Sequence, residues 1–153
     1  IHQICTDIDN SCVIKYCKNE ALNLILSSYA DQAKESGIDV RISVTATNFT
    51  RFQITDLCSL FANALENAIH ACEKIPTSEK RYITLKVFEK NDRICINIAN
   101  NYIQNPVFEN EIPTSHEANH GIGVRSMISV VEKYHGVYGF FTENKEFRFQ
   151  ASL

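Results

Sequence analysis

Asn63, Asn67, His70 and Lys74 fall at i, i+4, i+7 and i+11, a spacing that puts all four on one stripe of a helix. Two asparagines inside a helical run are not explained by propensity, because asparagine is a mediocre helix former. An amide oxygen is a hard donor, so Asn67 suits a Mg²⁺ ion whose other ligands are phosphate oxygens and water. Asn63, one turn earlier, could orient a water or a terminal phosphate. It cannot be a general base, because an amide takes no proton at neutral pH. His70 and Lys74 could touch phosphate, although a solvated helix end accounts for both and is the better reading of Lys74. Alone, the stripe also fits a plain solvated face opposite a core face.

A second feature points the same way. The chain has five glycines, and two of them flank one residue in Gly121-Ile122-Gly123, between an irregular stretch and a helical one. Backbone N–H groups are free at a helix start and the helix dipole favours an anion there, so a phosphate fits. Glycine lets backbone approach such a group closely, though the same pair also serves a tight loop-to-helix turn. Asn100 closes the strand RICINIAN and is placed to reach the same cleft, where its amide could pair with an adenine edge; a strand-end asparagine is also a common turn former.

The elements that must hold these residues are legible. DLCSLFANALENAIHACEK carries Leu57, Leu60, Phe61, Ala64, Leu65, Ala68, Ile69 and Cys72 at helical spacing, which predicts a helix over 56–74 with Thr55 as N-cap and Asp56 in the first turn. An earlier helix is expected over about 20–36, with Leu22, Ile25, Leu26, Tyr29 and Ala33 inward and Gly37 ending it in the left-handed conformation. IDVRISV, YITLKVF and RICINIAN alternate as strands, and Asn91-Asp92 marks a hairpin tip between the last two. Residues 101–120 show no period and contain Pro106 and Pro113, which predicts a flexible lid. Val124, Met127, Ile128 and Val131 predict a helix beginning just after Gly123 and ended by Gly136, with Lys133 and His135 in its last turn. Phe140 and Phe141, then Phe147, Phe149 and Ala151, predict a closing hairpin. Residues 1–18 hint at a helical tail through Ile1, Ile4, Cys5, Ile8 and Cys12, broken by Asp7, Asp9, Asn10 and Ser11. The sum is an α+β two-layer sandwich: a mixed, mostly antiparallel sheet of about five strands with three helices on one face.

Composition narrows the class. A chain of 153 residues, 44% hydrophobic and 22% charged, suits one soluble globular domain. A net charge of −3 without a basic block argues against nonspecific nucleic-acid binding, and no apolar run approaches the ~20 residues of a membrane span. The start at Ile1 without Met is expected to mean a fragment cut from something longer. Six cysteines, with no CxxC pair and no metal-ligand spacing to the histidines, suit a reduced, cytoplasmic setting; a disulfide among Cys5, Cys12 and Cys17 is the minor alternative.

Asn63-xxx-Asn67 on a helix, a strand ending in Asn100, a long loop, and HGIG opening a helix together resemble the GHKL superfamily, over residues 16–153. Within it, YCKNEALNLILSSYADQAKESGIDV, DLCSLFANALENAIHAC and SHEANHGIGVRSMISVVEKYHG look like the ATP-binding catalytic domain of a sensor histidine kinase of the Gram-positive peptide-pheromone-sensing (quorum-sensing) group. The resemblance implies ATP and Mg as cofactors, Asn63 and Asn67 as the catalytic pair with Asn67 as magnesium ligand, and His70, Asn100, His120, Gly121, Ile122, Gly123 and Val124 as further nucleotide-binding positions. It implies that residues 1–15 are a linker or the end of an upstream dimerisation helix. The phosphoacceptor would lie on that upstream domain: His2 lacks the expected motif, His135 is better explained as a helix cap, and His116 and His120 border the lid. The implied partners are that histidine domain and a response regulator, within a homodimer anchored to a membrane through a region outside this chain.

Two departures accompany the resemblance. Most histidine kinases carry Asp-x-Gly-x-Gly where this chain reads Asn100-Asn101-Tyr102, and the pheromone-sensing group tends to have Asn there. Hydrolysing members of the superfamily place a Glu where Asn63 stands; Asn suits a kinase, whose imidazole nucleophile needs no water deprotonated. The rival readings are a degenerate GHKL module that binds a protein partner without nucleotide, and an anti-sigma-factor serine kinase.

Overall fold

In a computed structural model the described residues are 14–114 and 120–153. The expectations on the helical tail, on His2, Cys5 and Cys12 and on His116 lie outside them, as does the side chain of His120. Helix α1 (Glu20–Glu35) leads to strand β1 (Asp39–Val44), helix α2 (Ile54–Glu73), and strands β2 (Tyr82–Lys90) and β3 (Arg93–Asn101). Then come a small hairpin, β4 (Val107–Glu109) and β5 (Ile112–Thr114), helix α3 (His120–Lys133), and strands β6 (Val137–Glu143) and β7 (Glu146–Ser152). The main sheet has the order β1-β2-β3-β7-β6. Only β1–β2 is parallel, because α2 crosses between them; the other pairs are antiparallel. This is the expected α+β sandwich.

The alternation of the strands sorts the two faces. Ile83, Leu85 and Val87 of β2, Ile94, Ile96 and Ile98 of β3, and Phe149 and Ala151 of β7 are buried in one core with Leu57, Leu60, Phe61, Ala64, Leu65 and Ala68 of α2. Leu22 and Leu26 of α1 and Met127 and Val131 of α3 complete it. Asn100 follows Ile98 on the same face, and is one of two buried polar residues among those described. Three hairpin tips share one chemistry: Asn91-Asp92, Asn110-Glu111 and Asn144-Lys145 all take positive φ at both positions, the backbone that two-residue turns need and asparagine tolerates.

Four local expectations are corrected. Helix α2 starts at Ile54, and Gln53, not Thr55, is its N-cap, with no side-chain cap bond. Packing sets this start: Phe52 is buried against Tyr134 with ring centroids 4.9 Å apart, and the Gln53 N–H donates to the Tyr134 hydroxyl at 2.9 Å. Residues 101–120 are not a structureless lid in their described part, since Val107–Glu109 pairs with Ile112–Thr114. Three-residue strands are too short for their alternation to stand out, and Pro113 within β5 obscures it further. Helix α3 begins at His120, so Gly121-Ile122-Gly123 forms its first turn rather than preceding it. At its end, His135 lies past the last helical residue, Lys133, rather than in the last turn, and takes the left-handed conformation at φ 55°. Gly136 is needed for closeness: its N–H donates to the Val131 carbonyl at 2.9 Å, and a β-carbon there would stand 2.6 Å from the Ser152 carbonyl oxygen. Gly37 does end α1 as expected, at φ 70°.

Candidate nucleotide site

Helices α2 and α3 lie side by side, and their contact turns two amides the same way. The Asn63 Nδ2 donates to the Ser59 carbonyl at 2.9 Å and lies 3.3 Å from the Ser59 hydroxyl, which is itself 3.3 Å from the Ser126 hydroxyl of α3. The Asn67 Nδ2 lies 3.9 Å from the Met127 sulfur. With both nitrogens committed to protein, the oxygens face the first turn of α3: a β-carbon on Gly123 would stand 3.2 Å from Asn63 Oδ1 and 3.7 Å from Asn67 Oδ1. Two hard oxygen acceptors therefore meet a helix N-terminus, whose free N–H groups and positive dipole end attract anions.

Asn67 also borders a cavity of about 370 Å³ that continues toward the sheet. His70 and Lys74 line it from α2, Val124 and Met127 from α3, and Ile98, Asn100 and Tyr102 from β3 and the residue after it. The small hairpin contributes Val107, Pro113 and Thr114. The floor is aromatic, made by Phe140, Phe147 and Phe149. These rings pack on one another, with the Phe140 and Phe149 centroids 4.9 Å apart and those of Phe140 and Phe147 6.3 Å apart. A mostly apolar slot with a few convergent polar groups is the usual form of a small-molecule site. Asn100 in its lining is 3% exposed, and its Nδ2 donates to the Asn101 carbonyl at 2.9 Å.

The sequence-predicted residues thus fall into two sets. Asn67, His70, Asn100 and Val124 share the cavity lining. Asn63 and Gly123 meet beside Asn67, while Gly121 and Ile122 are exposed on the first turn of α3. Sequence reasoning missed the aromatic floor. The alternation of Phe147 and Phe149 was visible, but only the insertion of β7 between β3 and β6 brings those rings beside Asn100. It also missed Asn101, whose side chain joins β3 to the start of β2: Oδ1 accepts from the Tyr82 N–H at 2.9 Å and Nδ2 donates to the Lys80 carbonyl at 2.8 Å.

The charged groups flanking the site serve the frame. Asp56, at the start of α2, accepts from the Lys133 ammonium at 2.8 Å and from the Tyr134 hydroxyl, which ties it to the end of α3. Those bonds, that of Lys133 first, hold its carboxyl below the usual aspartate range. Burial pushes the Cys72 thiol up to about 11, so it acts as an apolar filler whose S–H points at the Tyr82 and Asn101 carbonyls. Cys17, Cys58, Cys72 and Cys95 are all free. Among the described residues no helix is long and apolar enough to cross a membrane, and no group of three or more His, Cys, Asp or Glu could hold a metal ion.

Comparison with known proteins adds the following. The family described as GHKL domain matches residues 52–153, which span α2 through β7. No curated protein matches the chain. Among solved structures, the nucleotide-free catalytic domain of the histidine kinase ThkA is similar at 15% identity and a TM-score of 0.69, over 90% of this chain and 94% of that one. A mycobacterial sensor histidine kinase, MprB, is similar at 15% identity and a TM-score of 0.65, over 88% and 93%. Full-length ShkA, solved in complex with AMPPNP, is similar at 18% identity and a TM-score of 0.62; the match covers 86% of this chain and 29% of that protein. At these identities the likeness is one of fold.

Proposed function

The chain belongs to the GHKL-domain family, and from that premise we propose that it is the Mg-ATP-binding catalytic domain of a sensor histidine kinase, which presents the γ-phosphoryl group to a histidine on another domain. One observation carries this reading: the Asn63 and Asn67 oxygens converge on Gly123 at the head of α3, beside a slot that Asn67 and Asn100 both line. The space in front of Gly123 is one that a β-carbon would fill, and the donors around it are hard oxygens and helix N–H groups. That set fits a magnesium-bound polyphosphate.

Each residue then has a task. The Asn67 oxygen would hold the metal ion, which when bound supplies charge neutralisation on the phosphate oxygens. The backbone of His120, Gly121, Ile122, Gly123 and Val124 would receive the phosphates at the helix start. Asn100 would accept from an exocyclic amine of the base, which would lie over the Phe140, Phe147 and Phe149 floor. His70 lines the same slot. Asn63 carries no base and would orient the terminal phosphate, so catalysis would consist of positioning and electrostatic stabilisation.

The wider context follows from the same reading. Residues 1–15 would be a linker or the end of an upstream dimerisation helix, and 16–153 the catalytic unit. The phosphoacceptor histidine would belong to the upstream domain, a response regulator would act downstream, and the domain would work in the cytoplasm. The segments YCKNEALNLILSSYADQAKESGIDV and SHEANHGIGVRSMISVVEKYHG support placing it with the pheromone-sensing kinases.

Titration calorimetry of Mg-ATP into the wild-type chain and Asn67→Ala tests the reading. Saturable binding in the wild type that the variant loses is expected. No binding by the wild type at millimolar Mg-ATP overturns the proposal and turns attention to protein partners.

A further inference from the structure

The amide of Asn100 is held in one orientation by its neighbour. Its Nδ2 is 2.9 Å from the Asn101 carbonyl oxygen. A carbonyl can only accept, so the nitrogen must face it, and the amide cannot be turned over. The carbonyl itself is fixed from several sides. Asn101 is paired with Glu146 of β7, and its side chain bonds both the Tyr82 N–H and the Lys80 carbonyl, which continues the β2–β3 pairing past the last main-chain rung at Ile83 and Asn100. The Cys72 thiol of α2 lies 3.6 Å from the same carbonyl oxygen. Asn101 is therefore clamped between β2, β7 and α2, and its carbonyl cannot retreat.

We propose that Asn101 is a positioning residue for the nucleotide base: its clamped carbonyl fixes the Asn100 amide so that Oδ1 alone is offered to the cavity, and position 100 consequently demands a group that is neutral and carries both a donor and an acceptor. The inference rests on the nucleotide reading above for its ligand and on the structure alone for its chemistry. A carboxylate at position 100 would set a negative oxygen against the carbonyl oxygen at about the distance now spanned by a hydrogen bond, in a buried site. Burial and that contact both favour the protonated acid. Once protonated, the acid donates to the Asn101 carbonyl through its hydroxyl and keeps one oxygen as acceptor, as the amide does. The titratable groups that share the cavity are His70 and Lys74 on α2 and Tyr102 after β3, with Cys72, Tyr82 and Glu146 beside Asn101. Positive charge on His70 or Lys74 would favour the carboxylate. The Asn101 carbonyl, at hydrogen-bond distance and held by its own neighbours, is in direct contact and cannot reorganise.

The test is Mg-ATP affinity of Asn100→Asp relative to wild type, measured at each of several pH values between 6 and 8.5, so that titration of the nucleotide is common to both proteins. Expected is an affinity about tenfold or more below wild type at the alkaline end, narrowing steadily as the pH falls. The carboxyl of Asp at position 100, followed by carbon-detected NMR without nucleotide, is expected to titrate well above the ordinary aspartate range. An affinity equal to or tighter than wild type at pH 8 overturns the inference, as does a ratio that does not change with pH. If the wild type fails to bind Mg-ATP, the nucleotide reading falls, and the NMR titration still decides the chemistry: a carboxyl that titrates at or below about 4 refutes it. If Asn100→Asp does not fold at any pH, Asn101→Ser replaces it. Loss of the clamp is expected to weaken Mg-ATP binding severalfold and to lower the melting temperature by a few degrees at most, leaving the protein folded at the assay temperature, and unaltered affinity refutes the positioning role.

Discussion

Asn63 Oδ1 lies 3.2 Å from the point that a β-carbon on Gly123 would occupy. The contact joins the middle of α2 to the first turn of α3, and it is closer than side chains normally tolerate. The Asn63 amide is tied back to Ser59 through its nitrogen, so it has little freedom to yield.

Gly123→Ala is therefore expected to push the Asn63 oxygen aside, next to Asn67, and to lower Mg-ATP affinity by about tenfold, roughly 1.4 kcal/mol. Gly121→Ala is the control for stability alone. A β-carbon there meets nothing within 4 Å, and alanine gains up to about 0.5–1 kcal/mol over glycine inside a helix. Melting curves should place Gly121→Ala at or above wild type, while calorimetry should find the deficit in Gly123→Ala.

Asp56 makes stability depend on acid. Its folded pKa is lowered by Lys133 and then by Tyr134, so its contribution is present above the unfolded value of about 3.9 and is lost as the pH falls through the lower folded value. Lys133 is raised by the same bond, so its share is present below about 10.4 and is lost as the pH rises through the higher folded value. Asp56→Asn should thus melt below wild type at pH 7, and the gap should close in strong acid. A gap that persists at pH 2 would mean that packing, not charge, ties the two helix ends.

Gly136→Ala should destabilise the fold by about 1–3 kcal/mol or more, since its β-carbon would meet the Ser152 carbonyl oxygen at 2.6 Å and Val131 Cγ1 at 2.9 Å. Urea denaturation should show a lower midpoint with an unchanged slope. An unchanged midpoint would show that the turn between α3 and β6 can shift without cost.

Cys72 should resist alkylation in the native protein. A buried thiol with a pKa of about 11 is almost wholly protonated at pH 8, and the protonated form is a poor nucleophile. Mass spectrometry after iodoacetamide treatment should find Cys72 modified in denaturant and unmodified without it.

Much of this was legible before any coordinates. The buried face of α2, the alternation of β2 and β3, the Asn91-Asp92 turn and the three-helix sandwich follow from local period and turn chemistry, which a one-dimensional pattern records directly. Element ends were less legible where packing outranks propensity. Thr55 is the better cap by type, yet the burial of Phe52 against Tyr134 starts α2 two residues sooner. The β4–β5 hairpin went unseen because six paired residues around Asn110-Glu111 carry too little pattern.

By itself, the sequence determined which side chains are available for chemistry: the asparagines of α2, the glycines heading α3 and the asparagines closing β3. Their spacing sets the helix face or strand end from which each one projects. Only the tertiary structure decided which atoms meet. The packing of α3 on α2 brings Gly123 to Asn63, the placement of β7 beside β3 lays an aromatic floor under Asn100, and the clamped carbonyl of Asn101 chooses which side of the Asn100 amide faces the cavity. These are contacts between residues far apart in the chain, or orientations set by such contacts, and they are fixed by packing and by the pairing of buried polar groups rather than by any local preference.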